Sequence, residues 1–373
     1  MTQPARQGFA IFGAGIISHP IIHLSPHAAY IPAIAALGKA APPLKAVYSR
    51  SFKSAESLST AAVKALSIPA PDVYHDGENG GGIDAILARQ DISSVLLALP
   101  IPLQPSMILK ALKAGKHVLS EKPVAPDVAS GIALIEQYRS EFQEKGLVWR
   151  VAENFEVEPG IQEVGRLISD GAIGKVIGFK ACVLNYVDKD SKWYKTPWRT
   201  VPEYQGGFLL DGGVHTIAVL RVLLPQPITH LSSFASLNKD YLAPHDTIHA
   251  IAKASEHYNG TIEMTFAFPT TSKPVSAKDA CVVTGTEGYA AISIEGGFVK
   301  AVLTTEKKET IVEERMTGVQ VEFGSFFDAA DGKEGVEPFG SPVGALKDVA
   351  FIEAALNSDG ALVDLGLLVP GLE

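Results

Sequence analysis

Residues 9–18 read FAIFGAGIIS, an apolar run that ends in a glycine turn. The run has the composition of a strand buried on both faces, and Gly13 and Gly15 have the spacing of a dinucleotide-binding turn. In such a turn the first glycine permits a tight bend and the second lets the backbone approach a pyrophosphate, which would also place Ile16 at the cofactor. Ser18 stands where a third glycine is expected, so an ordinary strand-to-loop turn is the alternative.

The segments after this turn alternate between strand-like and helix-like patterns through about residue 150. This alternation is typical of βαβ units, which build a parallel sheet with helices on its faces. It therefore favours the dinucleotide-binding interpretation of the turn at its head. The predicted strands are 9–12, 44–48, 95–99, 117–119 and 147–152, and the predicted helices are 54–66, 105–114 and 127–145.

The pattern changes after about residue 153, where alternating apolar residues become frequent. Asn259 and Gly260 separate two such runs, 248–254 and 262–268, which predicts a hairpin with both turn residues at positive φ. The other elements predicted here are a helix at 159–169, a strand at 176–187, a polar loop at 188–206, hairpins of 281–284 with 290–294 and of 298–304 with 310–314, and a last helix at about 342–356.

These patterns predict a two-domain protein of class α/β plus α+β, and the length of 373 residues agrees with two domains. Residues 1–152 are expected to form a Rossmann dinucleotide-binding domain. Residues 153–373 are expected to form an α+β domain on an open, mainly antiparallel sheet, which binds substrate and carries the oligomer contact. The last helix, about 342–356, is a candidate to pack back on the first domain.

Composition and charge exclude several classes of function. The 32 Lys and Arg residues against 41 Asp and Glu give a net charge of −9, which argues against a nucleic-acid partner or an anionic membrane surface, because both need clustered positive charge. No uncharged stretch is long enough to suggest a transmembrane helix. Cys182 and Cys281 are too few for a disulfide framework or a cysteine-built zinc site, and we expect a cytoplasmic protein.

His19, His23 and His27 are four residues apart, a spacing that would align three imidazoles on one face of a helix. Pro20 and Pro26 interrupt any such helix, because proline removes a hydrogen bond and clashes with the preceding turn. The histidines are therefore interpreted as incidental, and the sequence predicts no metal site.

The end of the second predicted strand bears on the choice of cofactor. Sites that select NAD usually place an Asp or Glu there to hold the ribose hydroxyls, whereas sites that select NADP offer Arg and hydroxyl groups to the 2′-phosphate. This chain has Ser49, Arg50 and, nearby, Lys53, with no carboxylate before Glu56. We therefore expect NADP(H) as the preferred cofactor and NAD(H) as the alternative; a solvated basic loop would explain the same residues without a ligand.

Two further segments carry residues suited to proton transfer: 111–123, ALKAGKHVLSEKP, and 206–215, GGFLLDGGVH. Asp211 and His215 are four residues apart and would share one face at the start of a helix. A histidine titrates near neutrality, and a neighbouring carboxylate can fix its orientation or tautomer. A cationic nicotinamide would lower the pKa of a lysine such as Lys122, which suits a proton shuttle. The alternatives are a surface lysine and a hydrogen-bonded core histidine.

Together these segments resemble the Gfo/Idh/MocA oxidoreductases, whose members include inositol and sugar dehydrogenases. The resemblance spans nearly the whole chain, from the βαβ half and the Glu-Lys-Pro segment to the Asp-x-x-x-His helix and the open sheet. It implies that Lys122 lies beside the nicotinamide and the substrate hydroxyl, that His215 transfers the proton, and that Asp211 is its neighbour. The chain departs from the family pattern at Ser18 and in a longer passage over 19–30, and both departures bear on how the pyrophosphate is held.

Other residues are assigned to the site by their place at strand ends or by the resemblance. Asn154 lies in the stretch from which relatives contact the nicotinamide side. The remaining predicted cofactor residues, near the carboxyl edge of the sheet, are Leu99, Pro100, Gln104 and Glu121. The loop before Gly206 supplies four candidate substrate residues, Trp193, Tyr194, Trp198 and Arg199. They are expected to form a lid or pocket wall, and a loop that packs on itself is the alternative.

The function favoured by these observations is an NADP(H)-dependent oxidoreductase that moves a hydride between the nicotinamide and a secondary alcohol or its carbonyl partner. By the resemblance, sugars, polyols and cyclitols are the first substrates to consider. Two alternatives stay open: a non-catalytic dinucleotide sensor on the same scaffold, and a glycosidase that recycles a bound nicotinamide. The partner is then a small molecule, and the large sheet predicts a homodimer or homotetramer, because an exposed apolar sheet face marks an interface.

Overall fold

The structure, a computed structural model, describes residues 7–15, 30–254, 256–274, 278 and 280–371. The chain forms two compact units. The first comprises Met1–Val124, Ala133–Asn154 and Thr317–Pro342, and the second comprises Ala125–Ile132, Phe155–Met316 and Val343–Glu373. The expectations that concern Ile16, Ser18, His19, His23 and His27 lie outside the described residues.

The described residues form fifteen strands and ten α-helices, with short 3₁₀ turns between them. The strands are β1 (Gly8–Phe12), β2 (Leu44–Tyr48), β3 (Asp72–Tyr74), β4 (Ile92–Leu97), β5 (His117–Glu121), β6 (Trp149–Ala152), β7 (Val176–Leu184), β8 (His230–Ser236), β9 (Thr247–Lys253), β10 (Asn259–Thr265), β11 (Cys281–Gly285), β12 (Gly288–Glu295), β13 (Phe298–Thr305), β14 (Glu309–Arg315) and β15 (Val363–Asp364). The helices are α1 (Tyr30–Leu37), α2 (Phe52–Leu66), α3 (Gly82–Leu87), α4 (Gln104–Lys113), α5 (Val128–Glu141), α6 (Pro159–Ser169), α7 (Pro197–Thr200), α8 (Phe208–Leu223), α9 (Gly318–Ala330) and α10 (Pro342–Asn357).

The first unit is built on a parallel sheet with the strand order β3-β2-β1-β4-β5-β6. Strand β1 lies in the middle, between β2 and β4, so the strand order reverses beside it. In doubly wound sheets this reversal opens a crevice at the carboxyl ends of the strands, where nucleotides bind. The predicted Rossmann architecture is confirmed.

Strand β1 is the buried centre of the first unit, and its residues 9–12 have no exposed surface. The Phe9 ring lies 5.1 Å from the ring of Phe327 in α9, and Tyr30 of α1 lies edge-on to Phe323 at 4.8 Å. A continuous apolar run is what a strand covered on both faces requires. The sequence pattern did not predict α9, because this helix comes from a segment far along the chain from the strands that it covers.

The second unit contains one mixed sheet, with the order β14-β13-β12-β11-β7-β10-β9-β8-β15. Among its described strands, β7 and β10 pair in parallel and all other neighbours pair antiparallel. Helices α6 and α8 pack against one face. Glycines permit this close approach: a Cβ on Gly160 of α6 would lie 2.7 Å from the Cβ of Val299, and one on Gly213 of α8 would lie 3.5 Å from the sulfur of Met264. The predicted open, mainly antiparallel sheet is confirmed.

One predicted hairpin is right about its strands and wrong about its turn. Strands β9 and β10 pair antiparallel, but Asn259 lies opposite Lys253 and Gly260 lies opposite Ala252, so both are strand residues. Neither is among the described residues with positive φ. A Cβ on Gly260 would lie 2.3 Å from the carbonyl oxygen of Phe179 on β7. Glycine is needed at this position for the close approach of a neighbouring strand and not for a turn.

Several element ends also differ from the sequence prediction. Strand β4 ends at Leu97 and not at residue 99, β7 ends at Leu184 and not at 187, and α5 ends at Glu141, with a 3₁₀ turn over Gln143–Lys145 in place of its predicted last turn. The pattern also missed β3, β8, α1, α3 and α9. Among these, the short elements β3, α1 and α3 give too few apolar repeats for a period to be recognised.

The predicted domain boundary after residue 152 lies near the end of the segment Ala133–Asn154, but the first unit also includes Thr317–Pro342. Helix α10 belongs almost entirely to the second unit, and its packing against the first domain stays a prediction. Among the helices that the structure describes, none has the length and apolar character needed to cross a membrane.

Candidate active site

Gly13 shapes the turn after β1. Its φ is +107°, and a Cβ there would lie 2.2 Å from the carbonyl oxygen of Ala98, so the position requires glycine. The Gly13 N–H donates to the carbonyl oxygen of Tyr48 over 2.8 Å, which ties the turn to the end of β2. Gly15 is exposed, and a Cβ there would meet nothing within 4 Å. The turn is therefore tight at Gly13 and open at Gly15, a shape that fits a pyrophosphate against the backbone.

The carboxyl ends of neighbouring strands collect most of the predicted cofactor residues at one edge of the first unit's sheet. They are Ser49 and Arg50 after β2, Leu99 and Pro100 after β4, Glu121 and Lys122 at the end of β5, and Asn154 after β6. This is the edge at which doubly wound sheets bind nucleotides. The first unit thus brings these residues together with the glycine turn, and their individual roles stay predictions.

Gln104 begins α4 and is 1% exposed. Neither its amide nitrogen nor its amide oxygen has a hydrogen-bond partner among the residues that the structure describes. A buried amide without partners is costly, and a bound polar group that pairs with it removes that cost. The observation fits the predicted role of Gln104 in cofactor binding.

Glu121 is anchored by Tyr30, a residue that the sequence analysis did not single out. The Tyr30 hydroxyl donates to Glu121 Oε1 over 2.7 Å, and both side chains are buried. Burial first, and the charge of Glu121 second, raise the pKa of Tyr30 well above its ordinary value, so the phenol keeps its proton. Lys122 follows directly and is half-buried. The hydrogen bond therefore fixes the strand end from which Lys122 extends.

The carboxylate of Asp76, a residue in the segment after β3, lies at the end of β2. The Tyr48 hydroxyl donates to Asp76 Oδ1 over 2.7 Å, and the Asp76 N–H donates to the carbonyl oxygen of Arg50 over 3.3 Å. Asp76 follows β3, so a search for acidic residues along the β2 segment could not find it. The side chains of Arg50 and Lys53 are exposed. The end of β2 therefore has one carboxylate, Asp76, and two cationic side chains, Arg50 and Lys53, in its neighbourhood.

In the second unit Asp211 and His215 lie on α8, as predicted. The helix begins directly after Gly206 and Gly207, whose φ angles are +71° and +52°. A Cβ on Gly207 would lie 3.1 Å from the carbonyl oxygen of Ala243. The glycine pair lets the chain bend sharply into the helix, so Asp211 falls in its first turn and His215 one turn later on the same face.

The His215 ring packs against Phe155. Their ring centroids are 4.8 Å apart and the planes are inclined at 49°. Phe155 belongs to the 3₁₀ turn Asn154–Val157, and sequence reasoning missed it because an apolar side chain carries no signal of a role in proton transfer. The contact restricts the rotation of the half-buried imidazole.

Arg199 of α7 forms a buried ion pair with Asp211. The guanidinium Nε donates to Asp211 Oδ2 over 2.7 Å, and the two side chains are 7% and 9% exposed. The guanidinium carbon lies 4.0 Å from the ring centroid of Trp198 and 5.2 Å from that of Trp193. Burial first, and the Asp211 charge second, raise the pKa of Tyr204. Tyr204 is another neighbour that the sequence analysis did not identify.

The loop that carries Arg199 packs on itself to a large extent. Within the loop, the Arg199 guanidinium lies over the rings of Trp193 and Trp198, and the Thr200 hydroxyl donates to the Tyr194 carbonyl oxygen. The Tyr194 ring lies edge-on at 5.4 Å to Tyr241, which is outside the loop. The self-packed alternative therefore describes Arg199 well. Trp193, Tyr194 and Trp198 keep part of their surface exposed, and their role as a substrate wall stays a prediction.

Comparison with known proteins places the chain in a family. Residues 8–149 match the model for the oxidoreductase family with an NAD-binding Rossmann fold, and residues 161–291 match the model for the GFO/IDH/MocA C-terminal domain. Dehydrogenase FPY6 of Fusarium mangiferae is 36% identical over 374 residues, which cover 95% of this chain and 98% of that protein.

Solved structures show the same architecture. An oxidoreductase from Thermotoga maritima superposes with a TM-score of 0.80 at 30% identity, over 97% of this chain and 99% of that one. A levoglucosan dehydrogenase in complex with NADH and levoglucosan superposes with a TM-score of 0.73 at 19% identity, over 96% and 99% of the two chains, which shows a likeness of fold. The chain is thus an oxidoreductase with an NAD-binding Rossmann fold, and it belongs to the Gfo/Idh/MocA family.

Proposed function

We propose that this protein is an NADP(H)-dependent oxidoreductase that interconverts a secondary alcohol and its carbonyl partner, with a sugar, polyol or cyclitol as substrate. The observation that carries the proposal is the position of Lys122, which directly follows β5 at the nucleotide-binding edge and extends from a strand end fixed by Tyr30 and Glu121. The levoglucosan dehydrogenase that shares the fold supports a sugar as the first substrate to test.

In the oxidative direction His215 accepts the hydroxyl proton of the substrate, and Lys122 assists by holding the hydroxyl oxygen. The nicotinamide, when bound, supplies the acceptor for the hydride that leaves the carbinol carbon. The C–H and O–H bonds of the carbinol break and a C=O bond forms. Asp211 lies one turn before His215 on α8, and Phe155 restricts the imidazole that takes the proton.

The residues at the end of β2 support NADP(H) over NAD(H). Arg50 is exposed, and Ser51 caps α2 by accepting a hydrogen bond from the Ser54 N–H over 3.3 Å. A phosphate near this point would meet a guanidinium, hydroxyl groups and the positive end of the helix dipole. Asp76 works against the same phosphate, so the preference depends on the balance of the two charges.

Replacement of Lys122 by Ala tests the catalytic assignment. We expect Lys122→Ala to lose turnover of the polyol or sugar found by screening, while NADPH binding, measured by tryptophan fluorescence, stays within about threefold. Lys113→Ala, at the exposed end of α4, is the matched control and should leave both unchanged. Full turnover by Lys122→Ala would contradict the proposal.

The wild-type protein distinguishes the two alternative functions. Sugar release without a net absorbance change of the nicotinamide would indicate the glycosidase. Cofactor binding with no turnover of any substrate would indicate the sensor.

A paired titration with NADPH and NADH tests the cofactor choice. We expect wild-type protein to bind NADPH at least tenfold more tightly and Arg50→Ala to lose most of that difference, because one guanidinium–phosphate contact is a charge-assisted hydrogen bond. Lys64→Ala, in the last turn of α2, is the control for a lost surface cation. A wild-type preference for NADH would overturn the cofactor proposal and leave the oxidoreductase assignment standing.

We also propose that the chain forms a homodimer or homotetramer through the open face of the second sheet. Opposite α6 and α8, one row of paired residues crosses seven strands of this face: Ile311, Val302, Ala291, Val282, Lys180, Thr261 and Ile251. Five of these seven are apolar, and Ile251 and Ile311 are 62% and 69% exposed. An exposed sheet face on which most residues of a row are apolar favours association. A monomer by light scattering at micromolar concentration would refute the proposal.

The two cysteines, Cys182 and Cys281, carry free thiols. This observation supports the proposed cytoplasmic location.

A further inference from the structure

Phe52 and His75 form an aromatic pair just beyond the ends of β2 and β3. Phe52 begins α2 and His75 follows β3 directly, and their ring centroids lie 5.4 Å apart with the planes inclined at 74°. Phe52 is 50% exposed. In such an edge-to-face contact each ring keeps at least one face that the other does not cover. Phe52 therefore has aromatic surface open to a further flat ring.

A glycine-rich loop holds the His75 imidazole in place. The Gly77 N–H donates to His75 Nδ1 over 3.0 Å, and the His75 N–H donates to the carbonyl oxygen of Gly80 over 3.1 Å. A Cβ on Gly80 would lie 2.5 Å from Nδ1, so the loop closes around the ring only with glycine at this position. The imidazole is thus a fixed support against which the Phe52 ring packs.

The aromatic pair lies beside the residue to which we assign the 2′-phosphate. The Asp76 N–H donates to the carbonyl oxygen of Arg50 over 3.3 Å. His75 directly precedes Asp76, and Phe52 follows Arg50 by two residues. A nucleotide whose phosphate reaches Arg50 therefore has its base close to these two rings.

The strand order decides which nucleoside of the cofactor this is. Strand β2 is three strand spacings from β5, about 14 Å, and Lys122 follows β5. The proposed function places the nicotinamide at Lys122, and the glycine turn after β1 lies between the two ends. The adenosine half of the dinucleotide then extends toward β2, and the 2′-phosphate of NADP(H) belongs to that half.

We infer that the aromatic pair is the base-binding subsite of the cofactor: the adenine stacks on the exposed Phe52 ring, and His75 is a positioning residue that holds this ring. The inference rests on the proposed function and assigns a separate task to each neighbour. Arg50 distinguishes NADPH from NADH, whereas Phe52 contributes to the binding of both, because both contain adenine. An aromatic face accepts any flat base without reading its edge.

Isothermal titration calorimetry with four compounds tests the inference without turnover. We expect Phe52→Ala to weaken the binding of NADPH, NADH and ADP-ribose by the same factor, about tenfold, which is the loss of one stacked base. Reduced nicotinamide mononucleotide lacks the adenosine, so its affinity should not change. Phe52→Tyr keeps the ring and should bind all four like wild type. Val63→Ala, an exposed apolar residue of the same helix, is the matched control and should have no effect.

A double-mutant cycle tests the positioning role of His75. We expect His75→Ala alone to weaken ADP-ribose binding about threefold, because the Phe52 ring loses its support. In the Phe52→Ala background the same change should have little further effect, as expected of two residues that act through one contact. An equal loss in both backgrounds would show that His75 does not act through Phe52.

Three results would overturn the base subsite. They are unchanged ADP-ribose binding in Phe52→Ala, a loss confined to NADPH, and an equal loss for reduced nicotinamide mononucleotide, which would indicate a general disturbance of the first unit. A wild-type preference for NADH would overturn the cofactor choice and leave the subsite standing, because the base is the same. A failed substrate screen would affect the proposed reaction alone, since every readout here is a binding constant.

Discussion

Two arginines of the second unit, Arg199 and Arg221, are both paired with buried carboxylates, yet their surroundings differ. Arg221 of α8 donates to Asp348 of α10 over 3.0 Å and to Glu156 over 3.1 Å, and Asp348 is 2% exposed. Burial lowers the pKa of Arg221, but its two carboxylates outweigh that effect and the net shift is upward. Arg199 has one paired carboxylate in Asp211 and two tryptophan rings.

The difference shows what each pair contributes. The Arg221 cluster joins α8, α10 and the 3₁₀ turn Asn154–Val157, three segments distant in sequence, and thus holds the fold together. The Arg199 pair joins a short loop helix to the start of α8, a few residues before His215. A buried ion pair is weak support for stability in itself, but loss of one partner is strongly destabilising. We therefore expect Arg221 to act on folding and Arg199 to act on chemistry.

The largest effect is expected for Arg221→Met. This change removes the cation that pairs with two carboxylates, Asp348 and Glu156, and Asp348 has almost no contact with solvent. The free energy of unfolding should fall by about 3–5 kcal/mol. Urea denaturation followed by circular dichroism measures the loss, and the turnover of the remaining folded protein should be unchanged. A loss below about 1 kcal/mol would show that the cluster does not stabilise the fold, since that is the range of surface pairs.

A smaller effect, of a different kind, is expected for Arg199→Met. Under the proposed function, in which His215 accepts the proton, misplacement of Asp211 one turn away should lower kcat about 10²-fold, equivalent to about 2.7 kcal/mol, with KM within about threefold. Steady-state kinetics with the substrate identified by screening measures it. A rise in KM with kcat unchanged would place Arg199 in substrate binding instead.

The smallest effect is expected for Gly344→Ala in α10. A Cβ there would lie 3.0 Å from Nη1 of Arg221, so the guanidinium must move by a few tenths of an ångström. Alanine is the better helix former by about 1 kcal/mol, which offsets the contact. The free energy of unfolding, again from urea denaturation, should change by less than about 1 kcal/mol. A loss as large as that of Arg221→Met would show that the cluster tolerates no displacement.

Local patterns in the sequence were sufficient for the architecture and for the polar residues at strand and helix ends. The glycine turn, the Glu-Lys-Pro segment and the Asp-x-x-x-His helix each lie within a short window, and each was found. The hydrogen-bond partners of these residues were missed: Tyr30 is 91 residues from Glu121, and Arg199 was recognised without its link to Asp211. Asn259-Gly260 shows the converse, because a local turn signal was overridden by the approach of β7. Contacts between distant segments decide these features, and one window of sequence does not contain them.

Two segments supply the charged groups at the end of β2: the loop after β2 carries Arg50 and Lys53, and the segment after β3 carries Asp76. Because it is delivered by the segment after β3, its charge can change while every residue from Tyr48 to Lys53 stays the same. Under the proposed cofactor preference, the charge at the end of β2 can be changed by separate substitutions at Asp76 and at Arg50. A library at position 76 alone would sample the electrostatic field at the end of β2 without disturbing the cap of α2.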